Sequence, residues 1–145
     1  MKDLVFKEKF DSTFFKFKKC NSFAIVDSAR SISYEALYRE ISEVSEVVAA
    51  KTPENSVVAI VGNSSIQMVI NFFAIIRSGR AALLIDDNWS SEWKELVLND
   101  AKPSAIFRVA TDTTYGLQIY ESTERPIILP PMVAYVVYTS GTTGN

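Results

Sequence analysis

The chain has 145 residues, 48% of them apolar and 22% charged, with a formal net charge of −2. That suits a single globular domain burying about two-thirds of its unfolded surface, and it provides no field to draw in nucleic acid or a membrane surface. Histidine is absent, which excludes Ser-His-Asp and Cys-His catalysis and His-ligated metal within these residues, and the single cysteine, Cys20, excludes an internal disulfide and fits a reducing, cytoplasmic setting.

The N-terminal stretch is locally basic, with Lys2, Lys7, Lys9, Lys16, Lys18 and Lys19 set against Asp3, Glu8 and Asp11. Its charges alternate with apolar residues, so Met1 to Phe10 is no signal peptide. Phe6, Phe10, Phe14 and Phe17 recur at helical spacing, which predicts an amphipathic helix within residues 1–20 that docks through its aromatic stripe. Lysines interleaved with phenylalanines also fit an anionic lipid or RNA contact, but a solvated helix face is the preferred reading.

Residues 21–109 read as a hairpin followed by βαβ units. Phe23 to Val26 and Ser31 to Tyr34 flank the turn Asp27-Ser28-Ala29-Arg30. Ser33 can cap the next helix, with Glu35 in its first turn and Leu37, Ile41, Val44 and Val48 as its apolar stripe up to about Lys51. Pro53 and Asn55 end it. Val57 to Val61 is apolar throughout, as in a buried parallel strand. Ser64 and Gln67 stand at capping-box spacing ahead of a helix from Ser65 to Ser78, and Gly79 suits the position just past its end. That helix contains the most apolar run, Met68 to Ile76, which is too short for a membrane span and is interrupted by Asn71.

Ala81 to Ile85 is a second buried strand, closed by Asp86-Asp87-Asn88. Ser90 or Ser91 starts a helix carrying Trp93, Leu96 and Val97 and ending near Asp100; after Pro103, Ala105 to Val109 is the next strand. Residues 110–145 are expected to hold a loop and short strands, Gly116 to Tyr120 and Pro126 to Leu129 among them, before a last strand through Val133, Tyr135, Val136 and Val137, apolar on both faces as in a sheet covered on both sides. The alternation of strands and helices predicts an α/β fold: a mostly parallel sheet with flanking helices and right-handed crossovers.

The last strand leads into Tyr138-Thr139-Ser140-Gly141-Thr142-Thr143-Gly144, where every residue after the tyrosine carries a hydroxyl or no side chain. Gly141 and Gly144 permit close approach of a ligand to the backbone. Successive N–H groups in such a loop form a concave anion site, and the hydroxyls of Thr139, Ser140, Thr142 and Thr143 add uncharged donors. Ligands of open parallel sheets bind beyond the carboxyl ends of the strands, where this loop would lie.

YTSGTTG preceded by AYVV resembles the phosphate-binding signature of the acyl-adenylate-forming enzymes: acyl-CoA synthetases, aryl-acid ligases, luciferases and the adenylation domains of nonribosomal peptide synthetases. In that family Pro-Lys-Gly follows after one variable residue, the position held here by Asn145. Ile32-Ser33-Tyr34-Glu35-Ala36-Leu37 and the stretch Ile75 to Asp86 around Gly79 resemble two further family segments, with departures at Leu84 and Asp87, where the family usually has proline. The terminal motif is closer to amino-acid adenylation domains than to most acyl-CoA synthetases.

The resemblance implies a fold, the N-terminal portion of the large domain of an adenylate-forming enzyme, with residues 1–145 as a single incomplete domain. It also implies a reaction: a carboxylic or amino acid attacks ATP to give an adenylate and pyrophosphate, and a thiol of CoA or of a carrier protein's phosphopantetheine arm then takes the acyl group. Thr139, Ser140, Gly141, Thr142, Thr143 and Gly144 would hold the ATP phosphates. The family's Mg²⁺-binding acid, ribose-binding acid, adenine pocket and catalytic lysine have no matching positions here. The expectation is an N-terminal fragment or truncated reading frame of an ATP-dependent ligase, inactive by itself. A non-catalytic phosphate- or nucleotide-binding module is the alternative, and an interaction domain with an incidental loop is a third reading. Asp86 and Asp87 also fit a Mg²⁺ site, though an aspartate pair closing a strand and capping a turn is the preferred reading.

Overall fold

The computed structural model describes residues 4–17, 19–108, 117–119 and 125–139, with the side chains of Leu4, Val5 and residues 117–119 left out. Helix α1 (Leu4–Phe15) precedes a hairpin of β1 (Phe23–Val26) and β2 (Ser31–Ser33), and α2 (Tyr34–Lys51) follows directly. Then come β3 (Val57–Gly62), α3 (Ile66–Arg77), β4 (Ala81–Asp86), α4 (Ser91–Ala101), β5 (Ala105–Arg108), β6 (Leu117–Ile119) and β7 (Tyr135–Val136). The main sheet has the order β6-β5-β3-β4-β7. All its pairings are parallel except β5 with β6.

Strand β3 is the axis, and all six of its residues are buried. Because side chains alternate across a strand, Val58 and Ile60 enter one core while Val57, Ala59 and Val61 enter the other. The first core is closed by Leu37, Ile41, Val44 and Val48 of α2 and by Ile66, Ile70, Ala74 and Ile75 of α3. The second is closed by Val97 and Ala101 of α4 against Leu83, Ile85 and Ile106. Placing the helices on opposite faces follows from topology: the chain moves one way from β3 to β4 and back past β3 to reach β5, so crossovers of one hand must lie on opposite sides.

Helix α1 lies over α2 and α3. Phe10 is buried, with ring centroids 4.4 Å from Phe14, 5.9 Å from Phe73 and 6.5 Å from Tyr38. Asp11 accepts from Arg77 Nε at 2.9 Å and Nη2 at 3.1 Å. Phe10 and Phe14, the middle of the aromatic stripe, thus dock the helix, while Phe6 stays 40% exposed. The helix ends at Phe15, short of residue 20. Phe17 lies past its end, where it stacks on Tyr34 at 4.9 Å.

Helix ends are closed as the polar residues allow. Ser33 Oγ accepts from Ala36 N and Ser90 Oγ from Trp93 N, both at 3.2 Å. At α3 the cap is Ser65, whose Oγ accepts from Met68 N at 3.1 Å; the expected Ser64–Gln67 box does not form. Its place is taken by Asp27 of the hairpin turn. Asp27 Oδ2 accepts from Ile66 N at 2.8 Å, and its Oδ1 accepts from Ala29 N and Arg30 N at 2.8 Å each. Gln67 turns to Asn71 instead, donating from Nε2 at 3.0 Å. The other end of α3 is a Schellman closure with Gly79 at φ +79°: Gly79 N donates to Ile76 O at 3.0 Å and Arg80 N to Ile75 O at 3.2 Å.

Arg80 is buried without a carboxylate in contact. Its Nη2 donates to Thr52 O at 2.6 Å and Ala49 O at 3.2 Å, its Nε to Thr52 Oγ1 at 3.1 Å, and its Nη1 to Ser78 O. A cation thus satisfies the carboxyl-terminal carbonyls of α2. Burial pulls its pKa below the ordinary value.

At the amino edge of the sheet, the Ser56 and Ser104 hydroxyls meet at 2.7 Å, Ser104 N donates to Val57 O at 2.8 Å and Ala81 N to Ser56 O at 3.0 Å. Two expectations are corrected in the last stretch. Pro126 to Leu129 forms no strand but a single antiparallel bridge, Ser56 with Ile128, because the prolines on either side remove backbone donors. And β7 is covered unevenly on its two faces, with the Tyr135 ring 6.1 Å from that of Phe72 in α3. Val136 joins the second core, while Tyr135 is 58% and Val137 67% exposed on the other face, next to Leu84 at 43%.

Two predictions follow from these contacts. Ile60 is fully buried at the heart of the first core, so Ile60→Ala should cost about 2–5 kcal/mol in denaturant unfolding, and Ile60→Val about 0.5–1.5 kcal/mol. Asp27 has its pKa lowered, first by the Ile66 N–H, then by those of Arg30 and Ala29. A depressed carboxyl stabilises the fold above its unfolded pKa and loses that contribution as pH falls through the folded one. Asp27→Asn should therefore melt lower than the parent at neutral pH, and the gap should close once pH falls well below the ordinary 3.8; a gap independent of pH would show that the charge is not what holds the turn to α3.

Candidate functional site

Adjacent strands β3 and β4 send their chains to helices on opposite faces, and this leaves a crevice beyond their carboxyl ends. The loops at this crevice are tied together: Asp87 N donates to Gly62 O at 3.3 Å and Asn88 Nδ2 to Asn63 Oδ1 at 3.4 Å. Strand β7 lies beside β4, with Ala82 aligned to Tyr135 and Leu83 to Val136. Because the pairing is parallel, the chain leaves β7 at the end where β4 ends in Asp86.

The structure thus brings Tyr138 and Thr139 to the carboxyl edge of the sheet. Thr139 is exposed there. Ser140, Gly141, Thr142, Thr143 and Gly144, the rest of the expected phosphate loop, lie outside the described residues.

The aspartate pair serves the turn. Asp86 Oδ1 accepts from Asn88 N at 2.8 Å, closing an Asx turn, and Trp89 N donates to Asp86 O at 3.1 Å. Asp87 Oδ1 accepts from Lys94 Nζ at 3.1 Å, and the same ammonium donates to the Asp87 carbonyl at 2.7 Å. Among the described residues no three His, Cys, Asp or Glu side chains come together to hold a metal ion. Nor is any helix among them long and apolar enough to cross a membrane.

Sequence reasoning did not find the bond that positions Tyr138. Its phenol donates to Asp100 Oδ2 at 2.6 Å. Asp100 stands at i+7 from Trp93 on α4, a spacing that puts both on one side of the helix, but nothing in that spacing indicates a partner beyond position 130. Desolvation, and then the Asp100 carboxylate, push the phenol up to about 12.

A parallel α/β domain that delivers a hydroxyl- and glycine-rich loop beyond a strand's carboxyl end belongs to the class that binds ligands at this edge. The profile of one such family, described as AMP-binding enzyme, matches residues 16–145, and the chain belongs to that family. Gramicidin S synthase 2 of Aneurinibacillus migulanus is 25% identical over 137 residues, 84% of this chain and 3% of that protein. The Klebsiella oxytoca NpsA N-terminal subdomain in complex with 3-hydroxyanthranilyl-AMSN aligns with a TM-score of 0.71 at 20% identity, over 95% of this chain and 38% of that one. The AMPPNP-bound form of the nonribosomal peptide synthetase FmoA3 gives 0.71 at 19% identity, over 92% of this chain and 16% of that one. The chain spans between 2% and 13% of the length of the curated relatives it matches.

The Tyr138–Asp100 bond makes its own prediction. A tyrosine whose pKa is raised on folding stabilises the fold below its ordinary value of 10.0, and that contribution is lost as pH rises toward 12. Spectrophotometric titration should show a tyrosine ionising near 12; Tyr138→Phe should remove that step, and Asp100→Asn should bring it earlier.

Proposed function

We propose that this chain forms the N-terminal part of an ATP-dependent, carboxylate-activating ligase, with residues 1–145 one incomplete domain of the larger catalytic unit. Thr139, Ser140, Gly141, Thr142, Thr143 and Gly144 receive the phosphates of ATP. The second substrate is a carboxylic or amino acid. The adenylate then passes to a thiol, on CoA or on the phosphopantetheine arm of a carrier protein. The observation that carries this reading is the placement of β7, which runs parallel to β4 and brings the start of the loop to the crevice. The family match over residues 16–145 supports it, as do the similar structures solved with AMPPNP and with 3-hydroxyanthranilyl-AMSN.

The chemistry asked of the loop is positioning and charge stabilisation. Backbone N–H groups and hydroxyls would grip the phosphates as charge moves onto departing pyrophosphate, and one such donor in a water-excluded site is worth about 3–4 kcal/mol. The exposed apolar strip of Leu84, Tyr135 and Val137 supports an incomplete domain, since an uncovered sheet face of this kind is normally packed against further structure. In this reading the 145 residues bind nucleotide without forming adenylate.

Purified chain should therefore gain thermal stability when titrated with ATP, and Gly141→Val should abolish the gain. Pyrophosphate release should stay at background with a mixture of the common amino acids and aryl acids. Release above background would overturn the assignment of catalysis to other parts of the protein. An undiminished ATP shift in Gly141→Val would overturn the assignment of the loop.

A further inference from the structure

On the face of the sheet opposite α1, α2 and α3, a cavity of about 460 Å³ opens to solvent, lined by Trp89, Ser90, Trp93 and Tyr138. Its size falls within the range of small-molecule sites. Trp89 precedes the N-cap of α4 and Trp93 lies in the first turn; their ring centroids are 6.1 Å apart and tilted by 57°, so the two indoles form a corner. Tyr138 adds a third ring from the chain after β7, fixed in place by its bond to Asp100. All three rest on the second core, beside fully buried Val97, and all three remain partly exposed.

The stretch that carries the two indoles is acidic on balance, and Asp100 touches the third ring through its hydroxyl. Between residues 86 and 102 the acids are Asp86, Asp87, Glu92, Glu95 and Asp100, and the bases are Lys94 and Lys102. Lys94 is already engaged with Asp87. An anion would meet repulsion here. A cation would meet three aromatic side chains, two of them indoles tilted by 57° to each other, and a ring quadrupole attracts a cation over its face. The tyrosine wall hydrogen-bonds a carboxylate, which raises the electron density of its ring.

We propose that the Trp89–Trp93–Tyr138 basin is a binding site for an organic ammonium ion, held by cation–π contact. The proposal does not depend on the nucleotide reading, since the described residues that line the basin, Trp89, Ser90, Trp93 and Tyr138, lie outside the expected phosphate loop.

The chain has two tryptophans, and both line the basin, so intrinsic tryptophan emission reports on it alone. Choline chloride is the probe, with sodium chloride matching ionic strength and 3,3-dimethylbutan-1-ol as the uncharged isostere. Choline should change the emission saturably, and the alcohol should bind at least about fivefold more weakly. Trp93→Leu should weaken choline binding by a similar factor, with Trp89 left as reporter. Should that variant unfold, Glu92→Lys reverses charge at an exposed position next to Trp93 in sequence and should weaken choline binding while leaving the response to the alcohol unchanged. No saturable response up to about 100 mM choline, or equal affinity for choline and the alcohol, would overturn the proposal.

Discussion

The fold depends on a strand with no solvent side. Every residue of β3 is buried, and its alternate side chains belong to different cores. Such a strand cannot be stable alone, because each face must be covered by a separate layer of helix. Helices α2 and α3 supply one cover and α4 the other. The crossover needed to cover both faces also parts the chain beyond the carboxyl ends of β3 and β4. The crevice is therefore a by-product of burying β3, and β7, parallel to β4, brings Tyr138 and Thr139 to the same edge.

Much of this was legible because burial and periodicity agree. Val57 to Val61 and Ala81 to Ile85 are unbroken apolar runs, and both are central parallel strands. The stripe of α2 and the aromatic stripe of α1 face inward as their spacing requires. Gly79 sits where a left-handed residue closes α3. The misreadings came where a distant group overrode a local signal. Ser64 and Gln67 have the spacing of a box, but Asp27 reaches the helix start from 39 positions away. No local pattern marks Arg80 as the closure of α2, since its partners are backbone carbonyls that the side-chain sequence does not encode.

The proposed loop and the aromatic residues near it differ in what the sequence reveals. Thr139 to Gly144 stand out by composition, and topology alone indicates the sheet end where they belong. The aromatic basin behind that edge was hidden because Trp93 reads as a helix's core face and Tyr138 as the first letter of a motif. Only the pairing of β7 with β4 brings them together. The same pairing explains why β7 is lopsided. Its inward face joins the second core, while on its other face Tyr135 meets Phe72 of α3 and still stays 58% exposed.

The paired hydroxyls of Ser56 and Ser104 have a consequence for strand register. Where one face of a strand is wet, a slip by one residue would bury polar groups, and that cost pins the alignment. Strand β3 has no such protection, because a slip would exchange one set of valines, alanines and isoleucines for another. Its alignment against β4 and β5 must be set from outside the apolar run. The buried Ser56–Ser104 contact, with Ser104 N on Val57 O and Ala81 N on Ser56 O, fixes β3, β4 and β5 at a common starting line. A slip would leave those buried polar groups unpaired, at about 1–3 kcal/mol each. Two small polar residues at the rim thus specify the alignment of an otherwise uniform apolar interior, and with it the depth at which each strand ends in the crevice.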